Sequence, residues 1–84
     1  MKKLSEDYIK FKIIEIRYLV DRNITTCVIT MENGYEVVGF SACVHSEIFD
    51  LDTGKQLAYQ DAFRNIWPLE GYLLAQKRFE ESKT

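Results

Sequence analysis

The stretch "TTCVITMENGYEVVGFS", residues 25–41, decides how this chain folds. Two runs rich in β-branched and aromatic residues flank Asn33-Gly34, the preferred pair for a two-residue type I′ hairpin turn. Such a turn predicts Cys27 opposite Phe40, Ile29 opposite Val38 and Met31 opposite Glu36. Opposed residues share a face, so Cys27, Ile29, Met31, Val38 and Phe40 are expected to form one apolar surface. The other face then carries Thr26, Val28, Thr30, Tyr35, Val37 and Gly39, a mixed and half-exposed set. Gly39, inside a strand, marks a bulge or the close approach of another backbone.

Upstream, Ile14, Ile16, Tyr18 and Val20 alternate with Glu15 and Arg17, the period of a half-buried strand. Asp21, Arg22 and Asn23 turn that strand into the hairpin. Before it, "SEDYIKF" (5–11) opens with Ser5 and two acids, which suits the positive end of a short helix. Downstream of Val44 the alternation stops, and "HSEIFD" reads as a turn with Phe49 folded inward. Asp50 or Asp52 caps a helix whose stripe is Leu51, Gly54, Ala58, Ala62, Ile66 and Leu69. The small residues in its middle let that face lie close to a sheet. Pro68 kinks this helix or starts a new one at its first position.

The expected fold is therefore α+β: a three-stranded antiparallel β-meander with a kinked C-terminal helical segment packed on one face. A single domain spans 1–84, with a short helix within 1–12, the meander within 13–44 and helix within 50–80.

Eighty-four residues leave a thin core, and domains of this size often gain stability by forming oligomers. The net charge is −2, from 11 basic and 13 acidic residues, too balanced for an electrostatic grip on nucleic acid. No apolar run reaches the ~18–20 residues of a membrane span. The start "MKKLSEDYIK" lacks the apolar stretch of a secretion signal, so a reducing cytoplasm is expected.

Candidate chemistry is sparse. Cys43, His45 and Glu47 alternate along one strand, the residue types of an activated thiol, but same-face neighbours stand about 6.6–6.8 Å apart. A nucleophile and its base need contact at ~2.6–3.2 Å. Cys27, Cys43 and the lone His45 give at most three soft ligands, short of a structural zinc set. The hairpin register also sets the two cysteines on opposite faces, against a disulfide. "DLDTGKQLAYQD" resembles a calcium loop, but its glycine stands fifth rather than sixth, and helix capping explains the aspartates. "GYEVVGFS" has phenylalanine where a phosphate loop needs lysine. No enzyme activity, cofactor or metal is expected.

The sharper feature is aromatic. Tyr59, Phe63, Trp67 and Tyr72 follow one another around Pro68, with Tyr35 on the half-exposed sheet face. Rings in this number build a core, an interface anchor or a stacking pocket. Trp67 beside the proline suits the core, whereas Tyr35 and Tyr72 suit contact with a partner or ligand.

The pattern "CVITMENGYEVVGFSACV", then "FD", then "A…DA…IWPLEGYLL" resembles a family of small proteins encoded by tailed bacteriophages and prophages. The likeness runs from about Ile13 to Leu74. It implies expression in the cytoplasm of an infected bacterium and transfers no catalytic residue. Most of the matching positions are scaffold; Glu70 is the exception, a charge among aromatics that either caps backbone N–H groups or meets a partner's base. The expectation is a non-catalytic accessory binding protein that inhibits a host factor or an antiviral defence system. Its candidate contacts are Tyr35, Trp67, Glu70, Tyr72 and Arg64. The rival is an oligomer that sequesters a nucleotide-like small molecule, with rings on the base and Arg64, Lys77 or Arg78 on phosphate.

Overall fold

The computed structural model describes residues 4–44 and 50–83. In chain order it contains α1 (Glu6–Phe11), β1 (Ile13–Asp21), β2 (Ile24–Met31), β3 (Glu36–Ala42) and α2 (Leu51–Ser82). The three strands form one antiparallel sheet in the order β1-β2-β3, and α2 packs across β2 and β3. The fold is α+β, as the periodicity implies. His45, Glu47 and Phe49, assigned above to a strand and an inward turn, lie outside the described residues.

The hairpin is real, but its turn is different. The Met31 carbonyl accepts from the Gly34 N–H at 2.8 Å, and the Met31 N–H donates to the Tyr35 carbonyl at 2.8 Å. This is a three-residue loop, Glu32 to Gly34, in which glycine alone takes the left-handed conformation (φ 89°). A type I′ turn needs positive φ at Asn33 as well, and Asn33 does not have it. Its Oδ1 instead accepts from the Tyr35 N–H at 3.0 Å.

One extra loop residue moves the register by one, and the side-chain period of two then flips the whole of β3. Cys27 faces Gly39 and Ile29 faces Val37. The expected apolar face is corrected accordingly: Val37 and Gly39 point into the core, while Val38 and Phe40 are exposed. The facing of the cysteines changes too. Cys43 shares the parity of Gly39 but lies four residues beyond it, about 13 Å along the strand. Neither cysteine is in a disulfide.

Gly39 is where the helix comes down. A Cβ at this position would lie 2.0 Å from the Ala62 nitrogen, so only glycine admits the α2 backbone here. The buried stripe of α2 is Gly54, Ala58, Ala62, Ile66 and Glu70, with Phe63 beside it. Leu51 and Leu69, expected to complete the stripe, are exposed. The helix continues unbroken through Pro68, so no second helix starts there.

Two polar side chains of α2 also reach the free edge of β3. Asp61 Oδ2 accepts from the Phe40 N–H at 3.0 Å, and Asn65 Nδ2 donates to the Val38 carbonyl at 3.0 Å. Ser41 Oγ adds a bond to the Gly54 carbonyl at 2.8 Å.

At the other side of the sheet, β1 has a bulge at Ile14, which directs Ile13 rather than Ile14 toward the core face. Ile16, Tyr18 and Val20 share that face, opposite Ile29, Cys27 and Thr25. Tyr18 is half-buried against the core, with the Lys55 ammonium of α2 5.4 Å from the centre of its ring, while Ile16 and Val20 stay 41% and 48% exposed.

Ser5 caps α1 by accepting from the Tyr8 N–H at 3.2 Å, and Ile9 of that helix is fully buried. No described residue after Glu70 is buried. The molecule measures 59 × 19 × 16 Å, with a radius of gyration of 15.9 Å. A compact chain of this length would have about 12 Å.

Candidate functional site

The five residues singled out from the sequence fall into two grooves on different parts of the molecule. The first lies between the hairpin tip and the middle of α2 and has a volume of about 400 Å³. Tyr35, which closes the three-residue loop, and Glu70 and Tyr72, carried by α2, all line it. Both tyrosines are exposed, at 58% and 68%. Leu69 and Leu73 extend its apolar wall along the helix.

Glu70 does not cap a helix start, because α2 has no start at Pro68. It forms an ion pair with Lys12, Nζ to Oε1 at 2.8 Å, with little of either side chain exposed. Lys12 sits where α1 ends and β1 begins, so the pair fastens the N-terminal segment to α2. Its ammonium also stands 4.7 Å from the centre of the Tyr8 ring. The hydrogen bond to Glu70 raises the Lys12 pKa above its ordinary value, against the opposing effect of burial. Nothing in the sequence signals this pairing, since 58 residues separate the partners.

The second groove lies between α1 and the N-terminal half of α2, with a volume of about 460 Å³. Tyr59, Phe63 and Trp67 recur every four residues and form a ladder along its wall. The Tyr59 and Phe63 rings lie 5.7 Å apart and tilted, while Phe63 and Trp67 meet edge to face at 6.4 Å. Phe63 belongs to the core, and Tyr59 and Trp67 are half-buried against it. Trp67 is half-buried, packed against the core on one side and lining the groove on the other. Burial pushes the Tyr59 phenol up.

Around this ladder stand Lys10, Arg64, Gln56, Gln60 and Glu6. Lys10 pairs with Glu6 at 2.7 Å and Arg64 with Asp61 at 2.9 Å. The charged lining is two bases and one acid, against one base (Lys12) and two acids (Glu32, Glu70) in the first groove. With Asp61 counted beside Arg64, the second groove is balanced in charge and the first is acidic. Trp67 and Arg64 share the second; Tyr35, Glu70 and Tyr72 share the first. Lys77, a further candidate for phosphate, lines a third groove with Lys12, Glu70 and Glu80.

Other chemistry is thin. Cys27 is fully buried, and burial raises its pKa, so its thiol is a core group bonded to Tyr18. Among the described residues no cluster of three or more His, Cys, Asp or Glu could hold a metal ion. No helix among them is long and apolar enough to cross a membrane.

Residues 4–78 match the model of the phage protein family described as N4 Gp49/phage Sf6 gene 66, and the chain belongs to that family. No curated protein and no solved structure matches it.

Proposed function

We propose that this chain is a non-catalytic phage accessory protein that blunts a host factor or defence system by sequestering a small, flat, nucleotide-like ligand. One observation carries the reading: the second groove sets a three-ring ladder beside two basic side chains, Lys10 and Arg64, each held at the rim by one carboxylate. A planar base finds aromatic surface there, and phosphate finds Arg64 and Lys10. Gln56 and Gln60 supply paired donors and acceptors for base edges. The volume of about 460 Å³ falls within the range of small-molecule sites.

Direct capture of a host protein is the second reading. It is favoured by the first groove, where Tyr35, Tyr72 and Leu73 offer exposed apolar surface around Glu70. Tyrosines in such a setting are frequent interface anchors.

Trp67 is the only tryptophan of the chain, so its fluorescence reports the second groove directly. Titration with a panel of mono-, di- and cyclic nucleotides is expected to shift that emission and raise the melting temperature with at least one of them. Arg64→Ala should weaken the response about tenfold or more while lowering the unliganded melting temperature only slightly, because its exposed bond to Asp61 is lost. No response to any nucleotide, together with a host polypeptide retained through Tyr35 and Tyr72, would replace sequestration by direct capture. Native mass spectrometry of protein purified gently from its bacterial host tells these apart in one spectrum.

A further inference from the structure

The sheet ends in two edge strands, and only one of them is closed. Side chains of α2 occupy the β3 edge at the Phe40 N–H and the Val38 carbonyl. Among the described residues, no comparable side-chain bond reaches the backbone of β1, a nine-residue strand. It also leaves large apolar side chains uncovered on both faces, Leu19 at 61% on the outer face and Val20 at 48% on the core face. A long, apolar, open edge is a template for another strand.

We propose that this edge docks β1 of a second copy, antiparallel, about a two-fold axis at Leu19. Charge selects the occupant and the register. Arg17, Leu19 and Asp21 share the outer face, opposite Val28, Thr26 and Ile24 of β2. Centring the pair on Leu19 sets Arg17 of each copy against Asp21 of the other, so an ion pair flanks the apolar centre on both sides. Centring on Arg17 sets arginine against arginine, and centring on Tyr18 sets Glu15 against Asp21. Centring on Ile16 brings the bulged Ile14 into the ladder. The Leu19 register lies within the regular part of the strand, between that bulge and the turn at Arg22 (φ 54°).

Arg17 already bonds Glu36 and approaches Glu15 at 3.5 Å, and its guanidinium has donors enough for a further carboxylate. The result is a six-stranded sheet in which Leu19, next to Thr26 and Phe40 in one row, continues into the same row of the second copy. Both α2 helices then lie on the same face, on either side of a trough floored by Tyr18 and Val20 from each chain. This interface goes beyond the sequestration reading and requires no ligand.

The test is solution mass by light scattering, without nucleotide. Wild type is expected at twice 9.9 kDa, and Leu19→Lys at 9.9 kDa with an unchanged far-UV spectrum. Asp21→Arg should raise the dimer dissociation constant about tenfold or more, and adding Arg17→Asp to it should recover part of the loss. A wild type that stays at 9.9 kDa at every soluble concentration overturns the proposal. So does a dimer that Leu19→Lys leaves intact, or one for which the double charge exchange is worse than Asp21→Arg alone. Ligand titration of Trp67 is read separately, so failure of either idea leaves the other measurable.

Discussion

The two edge strands of this sheet show opposite solutions to the same problem. β3 presents its outer N–H and C=O groups to α2, which answers them with Asp61 and Asn65 and lays its backbone on Gly39. β1 presents the same groups to solvent, beside Ile16, Leu19 and Val20. The difference comes from the width of one helix. A helix about 10–12 Å across covers roughly two strands spaced ~4.8 Å apart, and here it covers β2 and β3. The third strand is left mostly uncovered, with only Ile13 and Tyr18 half-buried against the core and Lys55 of α2 over the Tyr18 ring.

The sharpest way to break the closed side is Gly39→Val. Its side chain would collide with backbone at Ala62 and Asp61, which cannot rotate out of the way as a side chain would. We expect a loss of about 3 kcal/mol or more, a large share of the stability of a small domain, read from a urea denaturation curve. If Gly39→Val is tolerated within experimental error, the helix does not rest on β3 as described.

Next in size is the Lys12–Glu70 pair, which holds the β1 side. Lys12→Ala leaves a carboxylate with little solvent and no ammonium, and is expected to cost about 2 kcal/mol. Because the folded pKa of Lys12 is raised, its contribution is fully present below the ordinary value of 10.5. It is lost as pH rises through the folded value. Wild type should therefore lose part of its advantage over Lys12→Ala in strongly alkaline solution.

The smallest effect tests the edge bond itself. Asp61 accepts from the Phe40 N–H and then from Arg64, and these bonds lower its pKa below the ordinary carboxyl value. A depressed carboxyl contributes above its unfolded pKa and stops contributing as pH falls through its folded pKa. Asp61→Asn keeps an acceptor but loses the charge. It is expected to unfold with a weaker dependence on acid than wild type. In Asp61→Ala, exchange of the Phe40 amide proton should accelerate. Unchanged exchange there would mean that the β3 edge is protected by something other than this carboxylate.

Much of the architecture was readable from local pattern. The hairpin, the helix cap at Ser5 and the small-residue stripe were all visible as local patterns, whereas Asp50 takes the N-cap position of α2 without a capping bond from its side chain. Gly39 was readable as a close approach because a glycine inside an otherwise β-branched run has few other uses. The candidate site was readable only as a set of residue types. Tyr35 and Tyr72 do share a groove, and Trp67 and Arg64 another, but the sequence treats them as one group. Lys10 and Lys12 gave no signal, because a lysine near a chain end looks the same whether solvated or paired.

What the sequence determined by itself is the set of elements and their order, since hydrophobic period, turn residues and caps act within each segment. What only the tertiary structure decided is which face of β3 is buried. Asn33-Gly34 is compatible with a two-residue and a three-residue loop, and the two differ locally by little. They differ globally by one residue of register, which exchanges Val37 and Gly39 for Val38 and Phe40 at the core. The Ala62 backbone settles the matter: it can approach a strand only where there is no Cβ, and that places Gly39 inside. A contact between residues more than twenty positions apart thus fixes a choice that neighbouring residues leave open.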